Sequence, residues 1–140
     1  MIRLSAAFLF VGSVLLPCLP ATADEAWPDL TGTWTGTTEA VVRGDTLHHD
    51  GGAEPYLSAT ELIWTIEGQD GRRFWGNVAS GENAQNLVGV IANDRTTILS
   101  AYHGGYSFMT LVDESTIDLC YVESGTESQV AACTTYTRED

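Results

Sequence analysis

The sequence predicts an all-β protein, an eight-stranded antiparallel up-and-down (meander) β-barrel. Short segments rich in Val, Ile, Thr, Trp and Tyr alternate apolar and polar residues with the period of a strand. Gly, Asn and Asp separate these segments at close, regular intervals, and no later segment keeps a helical period. Eight sequential antiparallel strands twist enough to close, which removes both sheet edges. A Greek-key sandwich is the alternative, although the connections are short for its crossovers.

The N-terminal residues 1–23 have the pattern of a cleaved secretory signal peptide. Arg3 supplies the positive start, residues 4–16 form an apolar stretch too short for a typical membrane span, and Ala21-Thr22-Ala23 places small residues at the cleavage site. Cys18 leaves open an acylated form, although Pro17 precedes it where a small residue is usual. We therefore expect a single β-barrel domain at 24–140, periplasmic or secreted, with no membrane span in the mature chain.

The charge is strongly acidic. Six arginines oppose 19 Asp and Glu residues, which gives a formal net charge of −13, and lysine is absent. Absence of lysine excludes Schiff-base chemistry, and the acidity argues against nucleic acid or anionic lipid as a partner. The alternative is that the negative charge serves only to keep an exported protein soluble.

The first predicted strand covers residues 31–43 and directs Trp34, Ala40 and Val42 to the inner face. A non-periodic loop at 44–58 follows, at a length where loops are usually functional or mobile. The later predicted strands are 61–66, 72–78, 86–91, 96–102, 106–112, 116–122 and 129–138.

Cys120 and Cys133 are an even pair once Cys18 leaves with the signal, in a compartment that permits disulfides. If residues 125–128 form a four-residue hairpin loop, Ser124 pairs with Gln129. The same register then places Cys120 directly opposite Cys133. The sequence predicts a disulfide across the last hairpin, worth roughly 3 kcal/mol for so short a loop.

The stretch Leu30-Thr31-Gly32-Thr33-Trp34 resembles the opening of calycin-type barrels, the superfamily of lipocalins, avidins and fatty-acid-binding proteins. The resemblance implies a calycin-like (lipocalin- or avidin-like) barrel in which Gly32 and Trp34 lie at the closed end. It also implies that Arg138, near the end of the last strand, lies across the Trp34 ring, a contact that cation–π attraction favours.

The opposite end is the predicted mouth. Loops after the first and fifth strands lie at one end of a meander, so the loop with His48 and His49 and the turn with His103 should meet there. These histidines are candidates for a metal site, and the alternative is that they are solvent-exposed loop residues. The candidate ligand-binding residues at the mouth are His48, His49, His103, Trp64, Trp75 and Tyr121.

The function that these features indicate is non-catalytic binding of a small apolar or aromatic ligand at the mouth, with no cofactor expected. The alternative is a protein-binding module, such as an inhibitor of an exported hydrolase, with a solidly packed barrel. An enzyme is the third class, because no nucleophile elbow, Walker loop or metalloprotease motif occurs. An interior of at least roughly a few hundred Å³ predicts ligand binding, whereas a packed interior with an exposed apolar patch favours a protein partner. The oligomeric state stays open.

Overall fold

The structure, a computed structural model, describes residues 26–46, 52–102 and 104–139. The predicted signal peptide, with Cys18, lies outside these ranges. The described residues form eight β-strands: β1 Gly32–Arg43, β2 Tyr56–Asp70, β3 Arg73–Ser80, β4 Asn83–Ile91, β5 Thr97–Tyr102, β6 Gly105–Asp113, β7 Thr116–Ser124 and β8 Gln129–Arg138.

The strands follow one another around a closed barrel. Each strand pairs antiparallel with the next, and β8 pairs with β1. The predicted fold class, an all-β up-and-down barrel of eight strands, is confirmed. Among the described residues, no helix has the length and apolar character needed to cross a membrane.

The second strand is longer at both ends than the predicted segment 61–66. Its first residues pair with the end of β1, so that Tyr56 lies opposite Val42 and Ser58 opposite Ala40. The inward residues there are polar or amphipathic, so the sequence carries no apolar alternation to mark them. At the other end a bulge between Ile66 and Gly68 lets the strand continue to Asp70. Consequently the β1–β2 loop ends before Tyr56, earlier than predicted.

Strict alternation along the strands fills the interior with side chains. The main core cluster contains Leu30, Trp34, Leu62, Trp64, Ile66, Phe74, Val78, Leu87, Ile91, Ile98, Met109, Ile117, Leu119 and Tyr136. The small residues that face the interior leave little empty volume there, because larger neighbouring side chains fill the space beside them. A Cβ added to Gly89 would lie 2.0 Å from Cζ of Phe74, so the absence of a side chain at Gly89 makes room for that ring.

The last hairpin has the predicted register. Ser124 pairs with Gln129, and Cys120 pairs with Cys133. The predicted disulfide is confirmed, with the two Cα atoms 4.1 Å apart. Both cysteines are exposed on the outer face, while their neighbours Leu119 and Thr134 are buried. The bridge therefore ties β7 to β8, the strand that closes the barrel against β1.

Candidate functional site at the open end of the barrel

One end of the barrel is sealed around Trp34. This ring is 1% exposed, and its Nε1 donates to the carbonyl oxygen of Leu30 at 3.0 Å. The Arg138 guanidinium carbon lies 5.0 Å from the ring centroid, and one of its nitrogens donates to the Thr31 carbonyl. Gly32 has φ +121°, a backbone conformation that favours glycine. The residues of the Gly-x-Trp motif and Arg138 thus lie together at this end.

The segment 26–31 forms a strap across the sealed end. Both polar atoms of the Gln69 side-chain amide bind the strap. Nε2 donates to the Pro28 carbonyl at 2.7 Å, and Oε1 accepts from Leu30 N at 2.9 Å. The Trp27 ring lies between two guanidinium groups, with Arg95 at 5.0 Å and Arg72 at 5.7 Å from its centroid. These contacts close this end of the barrel, so a binding site would lie at the opposite end.

Toward the opposite end, four aromatic side chains form a continuous column inside the barrel. Tyr136 and Trp64 have ring centroids 5.7 Å apart, and Trp64 meets Tyr102 edge-on at 6.4 Å. Tyr102 and Tyr121 are stacked at 4.8 Å. Strands β2, β5, β7 and β8 supply one ring each. The column connects the packed core to the mouth and ends on the half-buried ring of Tyr121.

A small recess lies beside the mouth end of this column. Its walls are mainly apolar and aromatic, formed by Thr38, Thr46, Leu62, Val78, Gln85, Tyr102, Leu119, Tyr121, Glu123, Val130 and Ala132. The space that the centre of a water-sized sphere can occupy is about 30 Å³. Since one water needs roughly 10–15 Å³ on this measure, the recess has room for about two waters. The interior is thus packed more closely than the expected open cavity of a ligand binder.

Glu123 is the charged side chain of the recess. Its carboxylate accepts hydrogen bonds from the Tyr121 hydroxyl at 2.9 Å and from the Ser128 hydroxyl. Burial raises the pKa of both Tyr121 and Tyr102 well above the usual range of a tyrosine, and the negative charge of Glu123 adds to both shifts. Both phenols are therefore neutral at physiological pH and offer hydroxyl groups to the mouth.

Several buried polar atoms of the interior have no hydrogen-bond partner of good geometry. They include Trp64 Nε1, Gln85 Oε1 and Ser100 Oγ, while the hydroxyl groups of Thr38 and Tyr136 face each other without good hydrogen-bond geometry. Gln85 lines the recess. Buried polar atoms in native proteins almost always have a partner, so Gln85 Oε1 indicates that water or a ligand supplies one there.

The predicted mouth residues occupy three kinds of position. Tyr121 lines the recess, and Trp64 is buried one step deeper in the aromatic column. Trp75 lies on the outer face instead, 46% exposed, because Phe74 and Gly76 on either side of it face inward. The three histidines His48, His49 and His103 lie outside the described residues.

Thr46, near the first two histidines in the chain, and Gly104, next to the third, line one shallow depression at the rim of the mouth, so the two loops meet at this end. In the described part of the chain, no group of three or more His, Cys, Asp or Glu side chains is placed to hold a metal ion. The metal hypothesis on the histidines stays a prediction.

Sequence reasoning missed Thr38, Gln85, Tyr102 and Glu123 as mouth residues. A signal for Glu123 was present, because the register that turns Leu119 and Tyr121 inward also turns Glu123 inward. Tyr102 ends a predicted strand and could have been placed by the same alternation.

Comparison with known proteins gives no family. No family model matches the chain, and no curated protein matches it. A solved structure that does match is the S-type phycobiliprotein lyase CPES from Guillardia theta, with 9% sequence identity over 79% of this chain and 89% of that chain, at a TM-score of 0.34. A likeness so distant carries no argument about ligand or activity.

Proposed function

We propose that this protein is an exported, calycin-like barrel that binds a small apolar or aromatic molecule at its mouth. The observation that carries the proposal is the recess beside Tyr102 and Tyr121, whose apolar walls adjoin the buried Oε1 atom of Gln85, which has no hydrogen-bond partner among the described residues. Apolar walls with a few polar groups that fix orientation are typical of small-molecule sites. The amino-terminal pattern of residues 1–23 supports export.

The small size of the recess sets a condition for binding. A ring-sized ligand needs more than the space of about two waters, so part of the wall has to move. Tyr121 is the side chain placed to do so, because it is half-buried at the mouth and its hydroxyl donates a hydrogen bond to Glu123. Rotation of its ring toward solvent would let a ligand ring stack on Tyr102 in its place.

Two substitutions on neighbouring residues of β8 test the site. Ala132 is 6% exposed and lines the recess, while Ala131 is exposed on the outer face. Ala132→Leu should fill the recess and weaken ligand binding by about tenfold or more, whereas Ala131→Leu should leave binding unchanged. Native mass spectrometry of the protein from its source compartment, then of both variants, provides the measurement. Equal ligand retention by the two variants would place the ligand elsewhere.

The second candidate function, a protein-binding module, rests on the outer surface. Following the pairing around the barrel, one row of outward residues is apolar on every strand: Trp75, Val88, Ala101, Tyr106, Val122, Ala131, Val41 and Leu57. The row runs around the barrel, so one partner would contact part of it, and exposed apolar surface of this kind marks interaction sites in many proteins. A ligand-free protein that binds a partner through this row, and loses it on Tyr106→Ser, would favour this candidate over the first.

A further inference from the structure

The outer surfaces of β4, β5 and β6 carry two adjacent apolar rows. The strand pairing aligns one outward residue from each strand in each row, and the rows consist of Val88, Ala101 and Tyr106, and of Val90, Leu99 and Phe108. The polar residues that border the rows on these strands, Asn86, Thr97 and Thr110, are uncharged and exposed. Together these nine residues form the β4–β6 face, which contains no charged side chain.

The largest side chains of the β4–β6 face are well exposed. Tyr106 is 63% exposed, Val88 is 62% exposed and Phe108 is 56% exposed. From ordinary side-chain areas, the two rows present roughly 500 Å² of mainly apolar surface, which is near the upper end for the largest patch of a monomer. With its polar border the face approaches roughly 600 Å² per partner, the low end of specific protein interfaces.

Charge is distributed unevenly around the outside of the barrel. The opposite wall, formed by β1 and β2, turns Glu39, Arg43, Glu61 and Glu67 outward. Because the net charge is −13, two copies of the chain repel each other, and they approach at least cost through a surface without charge. An apolar centre that contains aromatic residues and has a polar border is also typical of interfaces between identical subunits.

We infer that the β4–β6 face is a contact surface between two copies of this chain. In a dimer with two-fold symmetry the face meets itself, so its apolar rows need no other complementary surface. A basic partner selected by charge would instead bind an acidic surface, which this face lacks. The inference goes beyond the ligand of the mouth, because the face lies on the outer wall and the recess lies inside the barrel.

The area and the net charge together predict a weak dimer. An interface at the low end of the size range, opposed by repulsion between two acidic chains, forms only at high protein concentration. At high dilution the chain is a monomer, and the face is in contact with water. Salt screens the repulsion between the two copies, so added sodium chloride should strengthen the dimer, whereas it would weaken a complex held by opposite charges.

Analytical ultracentrifugation of the purified protein over a concentration series measures the dimer. Phe108→Glu places two negative charges in the interface and should weaken dimerisation by about a hundredfold. Phe108→Gln removes the ring without adding charge and should weaken it by about tenfold. Val41→Glu is the matched control, because Val41 is an outward residue of β1, is 44% exposed and lies four strands from β5 in either direction. It should change the dissociation constant by less than about threefold.

Circular dichroism of each variant at high dilution should match the parent spectrum, since the substituted side chains are exposed. Ligand retention measured by native mass spectrometry should be the same in Phe108→Glu as in the parent protein. A parent protein that stays monomeric at every protein and salt concentration would overturn the inference and leave the ligand site of the mouth standing. Equal weakening by Phe108→Glu and Val41→Glu, in variants with the parent spectrum, would also overturn it, because the contact would then lie outside the β4–β6 face.

Discussion

Three tyrosines of the barrel interior carry phenols whose pKa is raised above the usual range. Burial is the main cause at Tyr102, Tyr121 and Tyr136. Their hydroxyl groups differ in their partners, because Tyr102 shares a hydrogen bond of 3.1 Å with Ser107. The Tyr136 hydroxyl instead faces the Thr38 hydroxyl without a hydrogen bond of good geometry, so it contributes little to stability in the ligand-free protein.

Tyr136→Phe should leave the stability at neutral pH unchanged or raise it by about 1 kcal/mol, because the lost hydroxyl makes no hydrogen bond of good geometry. In the unfolded chain a tyrosine ionises near pH 10, while the buried phenol stays protonated to higher pH. Below pH 10 the phenol is protonated in both states, and above it ionisation of the unfolded chain lowers the stability of the parent protein by up to about 1.4 kcal/mol per pH unit. The substitution should make this alkaline decline shallower.

Urea unfolding between neutral pH and about pH 11 measures the decline. Tyr106→Phe is the control, because Tyr106 is 63% exposed on the outer face and water solvates its hydroxyl in both states. An alkaline decline as steep in Tyr136→Phe as in the parent protein would contradict the burial of that phenol.

At the scale of elements, the Gln69 amide holds the strap 26–31 to the end of β2. Gln69 lies near the end of β2 beyond the bulge, and its side chain contacts both the strap and the β2–β3 turn, donating to the Gly71 carbonyl at 2.8 Å. Leu30, whose backbone N–H it accepts, is 2% exposed. Without Gln69 this buried N–H has no replacement partner.

Gln69→Ala should therefore destabilise the protein by about 2 kcal/mol, since a buried donor left unsatisfied costs about 1–3 kcal/mol. The loss should be local first, seen as faster hydrogen exchange at the Leu30 amide. Asn77→Ala is the matched control. It removes an exposed amide that donates to Glu67 at 2.8 Å, and should change stability by less than about 0.5 kcal/mol. Unchanged exchange at Leu30 would show that the strap is held by other contacts.

Strands and their pairing were more predictable than the ends of strands. A four-residue loop sets the register of the last hairpin. A slip of one residue from that register would turn every side chain of the strand to the wrong face. That is why the Cys120–Cys133 bridge could be placed. The start of β2 could not, because its inward residues Tyr56, Ser58 and Thr60 carry no apolar signal and are ordered by pairing with β1.

The site was less predictable than the fold. Trp75 was expected at the mouth as a large aromatic, yet the alternation of Phe74, Gly76 and Val78 already directed it outward. The volume of the recess depends on how rings fill the space left by small residues, as Phe74 does beside Gly89, and strand alternation does not give that packing. The unpartnered Oε1 atom of Gln85 is likewise visible only once the neighbours of the side chain are known.

At the scale of the whole molecule, acidic side chains stand at both ends of the barrel. At the sealed end, Asp113 and Glu114 line the same depression as Arg95 and Arg138. At the mouth, Asp45, Glu123 and Glu127 line one depression, and Arg43 lines another with Glu123. The net charge of −13 produces a field that draws cations toward the protein and repels anions.

The same excess of negative charge should make the folded protein sensitive to salt. A compact state with this net charge repels itself more than the expanded unfolded chain does, and salt screens that repulsion. The Debye length falls from about 30 Å to about 8 Å between about 0.01 and 0.15 M salt. We expect the melting temperature to rise over this range by about 2–5 °C. The exposed pair Arg73–Asp70, about 70% exposed on each side, is too solvated to reverse the trend.

Circular dichroism melts in a sodium chloride series measure the effect. A variant that combines Glu61→Gln with Glu114→Gln removes two exposed carboxylates, one from β2 and one from the turn at the sealed end, and should show a higher melting temperature at low salt with a smaller rise. A melting temperature that falls as salt is added would mean that attractive ion pairs outweigh the net repulsion.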